Sequence, residues 1–153
     1  AAFSFFLTLL FLCPGPAIPE DKSCSLQILD RHGKVLLEIP GFEGGSFLLK
    51  YIHSSDGTPV EDEFEITDCG LVLKEERFTW YGSGLEFQGG AGSEIKFSGE
   101  KTTVCLNRRL PNFRIRVGWI ADQVLTIRGK EYALKSLAEP GEVLQFHVGH
   151  SGP

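Results

Sequence analysis

The chain has 153 residues, of which 42% are hydrophobic and 23% are charged, so it holds enough apolar material for one domain with a single core. Its formal net charge is -5, whereas neutralising nucleic-acid phosphates requires a basic surface. We therefore expect a single domain and no nucleic-acid partner.

The first 20 residues form a segment of their own, which we interpret as a signal or anchor. Residues 1–13 are mostly apolar, and Pro14 begins a Pro-Gly-Pro break, as in an export leader followed by its cleavage region. No initiator Met or basic stretch precedes them, so we expect the segment to start inside its leader. Three interpretations stay open: a leader cleaved after Ala17, an uncleaved membrane anchor through residues 1–13, or a lipidated Cys13. Each predicts an extracytoplasmic domain, periplasmic or at the cell surface, over residues 21–148, with a short tail at 149–153.

Three cysteines follow the leader, and none of them belongs to a Cys-x-x-Cys pair. An odd number without that spacing signals neither a zinc knuckle nor a dense disulfide framework. Because Cys24 is next to the leader, we predict a bridge between Cys69 and Cys105, with three reduced cysteines as the alternative. No metal or cofactor is predicted.

The hydrophobic pattern after the leader has a period of two, which is typical of strands. The short apolar runs, separated by Gly, Pro, Asn or Asp, are CSLQILD, KVLLEI, SFLLKYIH, LVLKEERF, FRIRVGWI, QVLTIRG, EYALKSL and EVLQFHV. This spacing predicts an all-β domain, a single small sandwich or barrel of mostly antiparallel strands with little or no helix. One helical turn is expected within residues 135–141. Tight turns are predicted at DRHGK and IRGKEY, where Gly33 and Gly129 can take positive φ.

The stretch YIHSSDGTPVEDEF, residues 51–64, reads as a β-hairpin whose turn is the Ser-Ser-Asp-Gly sequence at 54–57. This turn predicts four cross-strand pairs, all on one mostly apolar face: His53 with Thr58, Tyr51 with Val60, Leu49 with Asp62 and Phe47 with Phe64. The three glutamates at 61, 63 and 65 then point to solvent.

Asp62 lies on the apolar face of the predicted hairpin, between Val60 and Phe64. A buried carboxylate needs a partner. His53 is a poor candidate, because it is opposite Thr58, which lies four residues, or roughly 13 Å, from Asp62 along the strand. A His53–Asp62 dyad is therefore disfavoured within the hairpin. The better candidates are the arginines at 77, 108 and 109, among which the pattern does not choose.

Residues 82–99 form the longest predicted irregular stretch, and such segments are often functional. Trp80 and Tyr81 precede it and would offer an aromatic contact surface. In FRIRVGWI, Trp119 is expected on the same face as Val117, because Phe113, Ile115, Val117 and Trp119 alternate with Arg114, Arg116 and Gly118. The charges of Arg114 and Arg116 then share the outer face of one strand, which could receive an acidic partner or an anionic solute.

The motifs YIHSSDGTPVEDEFEI, GLVLKEERFTWYGSGLEF and NRRLPNFRIRVGWIADQVLTIRGKEYAL together resemble domain of unknown function family 1850, over about residues 24–148. The family hairpin reads His-Ser-Val, any residue, Lys or Arg, Thr-Pro-Val, then an acid before an aromatic, and a Gly-Ala-Gly turn follows. The matching positions are His53, Ser54, Thr58, Pro59, Val60, Asp62, Phe64, Gly82 and Gly84. This chain differs by having Ser55 for Val, Gly57 for the base, Asp62 for Glu and Ser83 for Ala.

The resemblance implies a small exported or membrane-anchored protein associated with tripartite ATP-independent periplasmic (TRAP) transporters of the TAXI type, which move small carboxylates and related solutes. The expected function is an accessory or binding module whose partner is a TRAP membrane or solute-binding subunit, or a small carboxylate solute. The expected binding residues are the hairpin positions His53, Ser54, Thr58, Pro59, Asp62 and Phe64, with Tyr81, Gly82 and Gly84. No established catalytic activity comes with the family. Two alternatives are a hydrolase or metal-dependent enzyme using His53 and Asp62, and a purely structural periplasmic domain.

Overall fold

A computed structural model describes residues 24–54, 57–79 and 94–150. Within these ranges the chain forms eleven strands and one 3-10 turn, Leu134–Ser136. The strands are β1 (Cys24–Leu29), β2 (Val35–Ile39), β3 (Ser46–Ile52), β4 (Pro59–Thr67), β5 (Gly70–Phe78), β6 (Glu94–Ser98), β7 (Lys101–Arg109), β8 (Phe113–Arg116), β9 (Val124–Ile127), β10 (Lys130–Ala133) and β11 (Val143–His150). The all-β prediction is confirmed, and the 3-10 turn overlaps the start of the segment where a helical turn was expected.

The strands form two antiparallel sheets that do not close into a barrel. The smaller sheet has the order β2-β1-β11-β8, and the larger has the order β10-β9-β3-β4-β5-β7-β6. Of the two predicted architectures, the structure is therefore the sandwich.

The core lies between the sheets because the alternating strands turn their apolar side chains inward. Its centre is a group of aromatic rings from both sheets: Phe47 and Phe64 stack at 4.9 Å between centroids, and Phe113 and Phe146 lie 4.9 Å apart. Phe47 and Phe146 join the two pairs at 6.1 Å. Such ring pairs stabilise beyond the burial of their area, by about 0.5–1.5 kcal/mol each.

Two predicted tight turns are confirmed. Gly33, with φ of 80°, closes the β1–β2 hairpin, and Gly129, with φ of 77°, closes β9–β10. The Asp30 side chain fixes the first turn by accepting hydrogen bonds from the backbone amides of His32 and Lys34, at 2.8 and 2.9 Å. Asp favours turns because its carboxylate can bond nearby backbone in this way.

The predicted disulfide between Cys69 and Cys105 is wrong, because Cys69 is bonded to Cys24. Cys24 opens β1 and Cys69 occupies the β4–β5 turn, and their Cα atoms are 5.6 Å apart. Cys105 instead pairs with Glu75 inside the larger sheet, five residues along β5 from the Cys69 turn at Gly70. It remains a free thiol and donates to the Glu75 carboxylate at 3.7 Å.

Two segment boundaries also differ from those predicted. The irregular stretch at 82–99 contains strand β6, which pairs with β7 at the edge of the larger sheet. Phe97 of β6 is 67% exposed, so β6 has no buried apolar face, which is the feature by which the hydrophobic pattern identifies a strand. At the other end, β11 continues to His150, two residues past the expected domain end, because it pairs with β1 as far as Cys24.

Candidate functional site

The β3–β4 hairpin has the predicted register. Tyr51 pairs with Val60, Leu49 with Asp62 and Phe47 with Phe64. At the hairpin end the His53 amide donates to the Thr58 carbonyl at 2.8 Å, and the Gly57 amide donates to the His53 carbonyl at 2.9 Å. The hairpin thus presents its polar turn at one end and its apolar face to the core.

The hairpin end borders an apolar surface groove of about 470 Å³. Beside His53 and Ser54, its lining includes Trp119 and Ile120 from the segment between β8 and β9. These two side chains are 75% and 71% exposed. The Ile52 amide joins the two segments by donating to the Ala121 carbonyl at 3.2 Å. A large exposed aromatic next to an exposed aliphatic side chain is the usual composition of a contact surface.

The turn that carries Trp119 is held from behind by Gln123, which is only 8% exposed. The Gln123 side chain accepts from the Gly118 amide at 2.8 Å and donates to the Arg116 carbonyl at 3.0 Å. A Cβ at Gly118 would lie 2.6 Å from the Cβ of Ala121, so only glycine fits this turn. The groove wall is therefore fixed by partly buried hydrogen bonds and by close packing.

Trp119 lies where the sequence pattern did not place it. The alternation of FRIRVGWI put Trp119 on the inward face with Val117, but β8 ends at Arg116 and the chain turns at Gly118. Val117 is fully buried, whereas Trp119 is exposed. Glycine after the last buried position was the available signal that the alternation stops.

A second cavity of about 210 Å³ has a lining that includes residues of β4, β5 and β7 in the larger sheet and of β8 in the smaller sheet. Its polar lining is Asp62, Glu76 and Arg108; its apolar lining is Phe64, Leu73, Leu110 and Phe113. Asp62 and Glu76 are directly opposite each other on β4 and β5. Two carboxylates thus share this cavity with one guanidinium.

The charges in this cavity are strongly coupled. Burial and then the charge of the Glu76 carboxylate raise the pKa of the Asp62 carboxyl to about 7, a rise that the charge of Arg108 opposes. Burial, followed by the charges of Asp62 and Glu76, also raises the pKa of Tyr51. Among the described residues, Asp62 Oδ1 is buried without a hydrogen-bond partner. This cavity can bind or release a proton near neutral pH, as a general acid or base must.

Of the three arginines predicted as candidate partners of Asp62, Arg108 is the one whose charge acts on it. Arg77 instead forms ion pairs with Glu63 and Glu75 on the opposite face of the sheet. Arg109 lies 3.0 Å from Asp68 at the β4–β5 turn.

Glu76 was not predicted as a site residue, because a β-bulge changes the alternation of β5. Phe64 pairs with Leu73 and Glu63 with Glu75, so Lys74 is the extra residue. Without the bulge, Leu73 and Glu76 would face opposite sides. The bulge turns both toward the core, and Glu76 is only 7% exposed.

The other predicted site residues do not form one site. Phe64 is a core residue, and Pro59 is exposed at the rim of a separate shallow pocket beside Arg77 and Lys101. Thr58 contributes its carbonyl to the hairpin end. The predictions for Trp80, Tyr81, Gly82 and Gly84 lie outside the described residues, as do those for the leader at 1–20 and for residues 151–153 of the tail.

The fold and these sites define an all-β, sandwich-like domain with an apolar groove at one hairpin end and a carboxylate cavity inside. The chain belongs to the family described as domain of unknown function (DUF1850), whose model matches residues 47–134. No curated protein and no solved structure matches the chain. In the part of the chain that the structure describes, no helix has both the length and the apolar character needed to cross a membrane.

Proposed function

We propose that this protein is an extracytoplasmic accessory module of a TAXI-type TRAP transport system. It docks on a membrane or solute-binding subunit of the transporter through the groove between the signature hairpin and Trp119. The transporter association rests on the family resemblance, and the groove supplies a surface suited to a protein partner.

The exposure of Trp119 and Ile120 on a fixed turn is the observation that carries the proposal. Burying an exposed aromatic in a partner pocket is the commonest source of binding energy at interfaces, and a turn already held in place loses little entropy on binding. His53 and Ser54 lie on the same groove, so the family signature and the apolar pair would meet the partner together.

The compartment is supported by the Cys24–Cys69 bond. Structural disulfides persist in oxidising compartments such as the periplasm and the cell surface and are rare in the cytosol. This agrees with the leader-like composition of residues 1–20, whichever of the three leader interpretations holds.

The enzyme alternative draws its support from the Asp62 cavity rather than from a His53–Asp62 pair. His53 lines the surface groove and Asp62 lines the interior cavity, and these two sites share no lining residue. A catalytic role would have to use Asp62 with Glu76. In the accessory role, the Arg108 charge in the same cavity could accept a small carboxylate solute.

Affinity capture from the native cell tests the docking proposal. A tagged chain with its full leader is solubilised in mild detergent, and the co-purifying TAXI subunits are quantified by mass spectrometry. The test variant carries Trp119→Ser and Ile120→Ser, and the matched control is Phe97→Ser, which removes an exposed aromatic on β6.

We expect a TAXI membrane or solute-binding subunit with the wild type and with the control, and at least a tenfold lower yield with the double variant. Equal recovery with all three forms would place the contact elsewhere. Absence of any TAXI subunit with the wild type would overturn the accessory role itself.

A further inference from the structure

The Cys24–Cys69 disulfide lies within a cluster of metal-ligand atoms. The ligand atoms of Cys24, Cys69 and His150 all lie within 4.8 Å of one another. His150 Nδ1 is 3.4 Å from the Cys69 sulfur, and an oxygen of the Glu43 carboxylate is 3.0 Å from the Cys24 sulfur. None of these side chains takes part in the docking groove or in the Asp62 cavity.

The backbone holds this cluster in place from several directions. Cys24 and His150 are directly paired in the β1–β11 ladder. Cys69 sits in the two-residue β4–β5 turn with φ of 48°. The Glu43 carboxylate accepts from the backbone amides of Asp68 and Cys69, at 2.8 and 3.1 Å. The four side chains thus come from different segments that hydrogen bonds already fix beside one another.

Two sulfurs, one imidazole nitrogen and one carboxylate oxygen are the donor types of a tetrahedral zinc site. With bond lengths of about 2.3 Å to sulfur and 2.0–2.1 Å to nitrogen or oxygen, neighbouring donors lie roughly 3.3–3.8 Å apart. The Cys69–His150 and Cys24–Glu43 separations of 3.4 and 3.0 Å are close to this range. Reduction of the disulfide lets the two sulfurs move apart, and the Glu43 carboxylate, which lies outside the group of three, must also shift to complete the four donors.

We propose that the reduced Cys24–Cys69 pair, together with His150 and Glu43, binds a thiophilic divalent cation of the zinc class. A dithiol reductant transfers two electrons and two protons to the disulfide, which becomes two thiols while the reductant becomes a disulfide. The cation then displaces both thiol protons to solvent. The same atoms link β1 to the β4–β5 turn in both forms, covalently in one and through the metal in the other.

Cobalt titration of the whole chain tests this site. The protein is reduced with a phosphine, freed of excess reductant without air, and titrated with Co²⁺, whose absorption reports tetrahedral geometry and thiolate ligation. The test variants are Cys69→Ser and His150→Ala. The matched controls are Cys105→Ser, which removes a free thiol that lies outside the cluster, and His147→Ala, which removes an exposed histidine from the same strand.

We expect a stoichiometric tetrahedral thiolate spectrum with the reduced wild type and both controls, bleached by Zn²⁺ and absent from the oxidised chain. His150→Ala removes one of the four proposed donors and should weaken cobalt binding by at least about tenfold, the smallest loss usual even for residues that only support a metal ligand. Loss of the spectrum with Cys105→Ser, or its full retention in either test variant, would overturn the assignment.

Reduction of the disulfide lowers the stability of the fold, so a second measurement is needed beside the cobalt spectrum. It is the Tm of the reduced chain with and without Zn²⁺. A cation that binds only the native state raises Tm. We expect this rise in the reduced wild type and not in His150→Ala. A reduced chain with neither a cobalt spectrum nor a zinc-dependent Tm would show that the cluster binds no such cation.

Discussion

Replacing Asp62 with Asn should remove a pH dependence of stability that the interior cavity creates. The pKa of Asp62 is about 7 in the folded chain against an ordinary 3.8. The folded state therefore holds this proton more tightly, and the contribution of Asp62 to the free energy of unfolding is fully present below about pH 4 and is lost as the pH rises toward 7. At about 1.4 kcal/mol per pH unit, the loss is at most about 4 kcal/mol, of which about 3 kcal/mol falls between pH 5 and pH 8.

Asp62→Asn replaces the carboxyl group with a neutral amide of similar shape. Glu76 then has no carboxylate neighbour in the cavity. We expect the unfolding free energy of the variant to change little over the same interval and to exceed that of the wild type at about pH 8 by roughly 1–3 kcal/mol. The matched control is Glu63→Gln, which removes one negative charge from the next position of β4, where the side chain pairs with Arg77 on the outer face.

Urea unfolding between pH 5 and pH 8, with the disulfide intact, measures this difference. The wild type and Glu63→Gln should both lose stability as the pH rises, whereas Asp62→Asn should not. An Asn variant with the same pH slope as the wild type would refute the assignment of the raised pKa to this cavity.

Three further changes test the framework around the two sites. Cys24→Ser removes the disulfide, which closes a loop with a sequence separation of 45, and should lower the unfolding free energy by about 4 kcal/mol. Cys105→Ser should change it little, and equal effects of the two variants in denaturant titrations would contradict the observed pairing. Gln123→Ala leaves the Gly118 amide and the Arg116 carbonyl without their partner and should cost roughly 1–3 kcal/mol. The half-buried Gln27, whose side chain donates to Glu38 at the surface, is the control, and Gln27→Ala should cost under about 1 kcal/mol; similar Tm values for the two would argue against a fixed turn. Phe64→Ala should cost about 3–5 kcal/mol in urea unfolding, and a loss below about 1 kcal/mol would be incompatible with its place in the ring cluster.

The β3–β4 hairpin shows which structural features can be predicted from the local sequence pattern. Turn chemistry at residues 54–57 and strict alternation were enough to predict the pairing of Leu49 with Asp62, and with it an inward carboxylate. Both depend only on neighbouring residues, because a strand of period two has just two possible faces.

The positions of Glu76 and Trp119 were not predicted from the same pattern. A bulge at Lys74 turned Glu76 inward, and a break at Gly118 turned Trp119 outward. In both places one residue reversed the alternation, and such a break is set by packing against strands that are distant in the chain.

The sequence by itself determined the all-β class, the main strands, the register of the signature hairpin and the inward position of Asp62, because each follows from local periodicity and turn residues. Only the tertiary structure decided that Cys24 bonds Cys69, that Arg108 is the cation beside Asp62, and that His53 shares a groove with Trp119. These depend on which strands become neighbours in the two sheets, and spacing along the chain does not encode that choice.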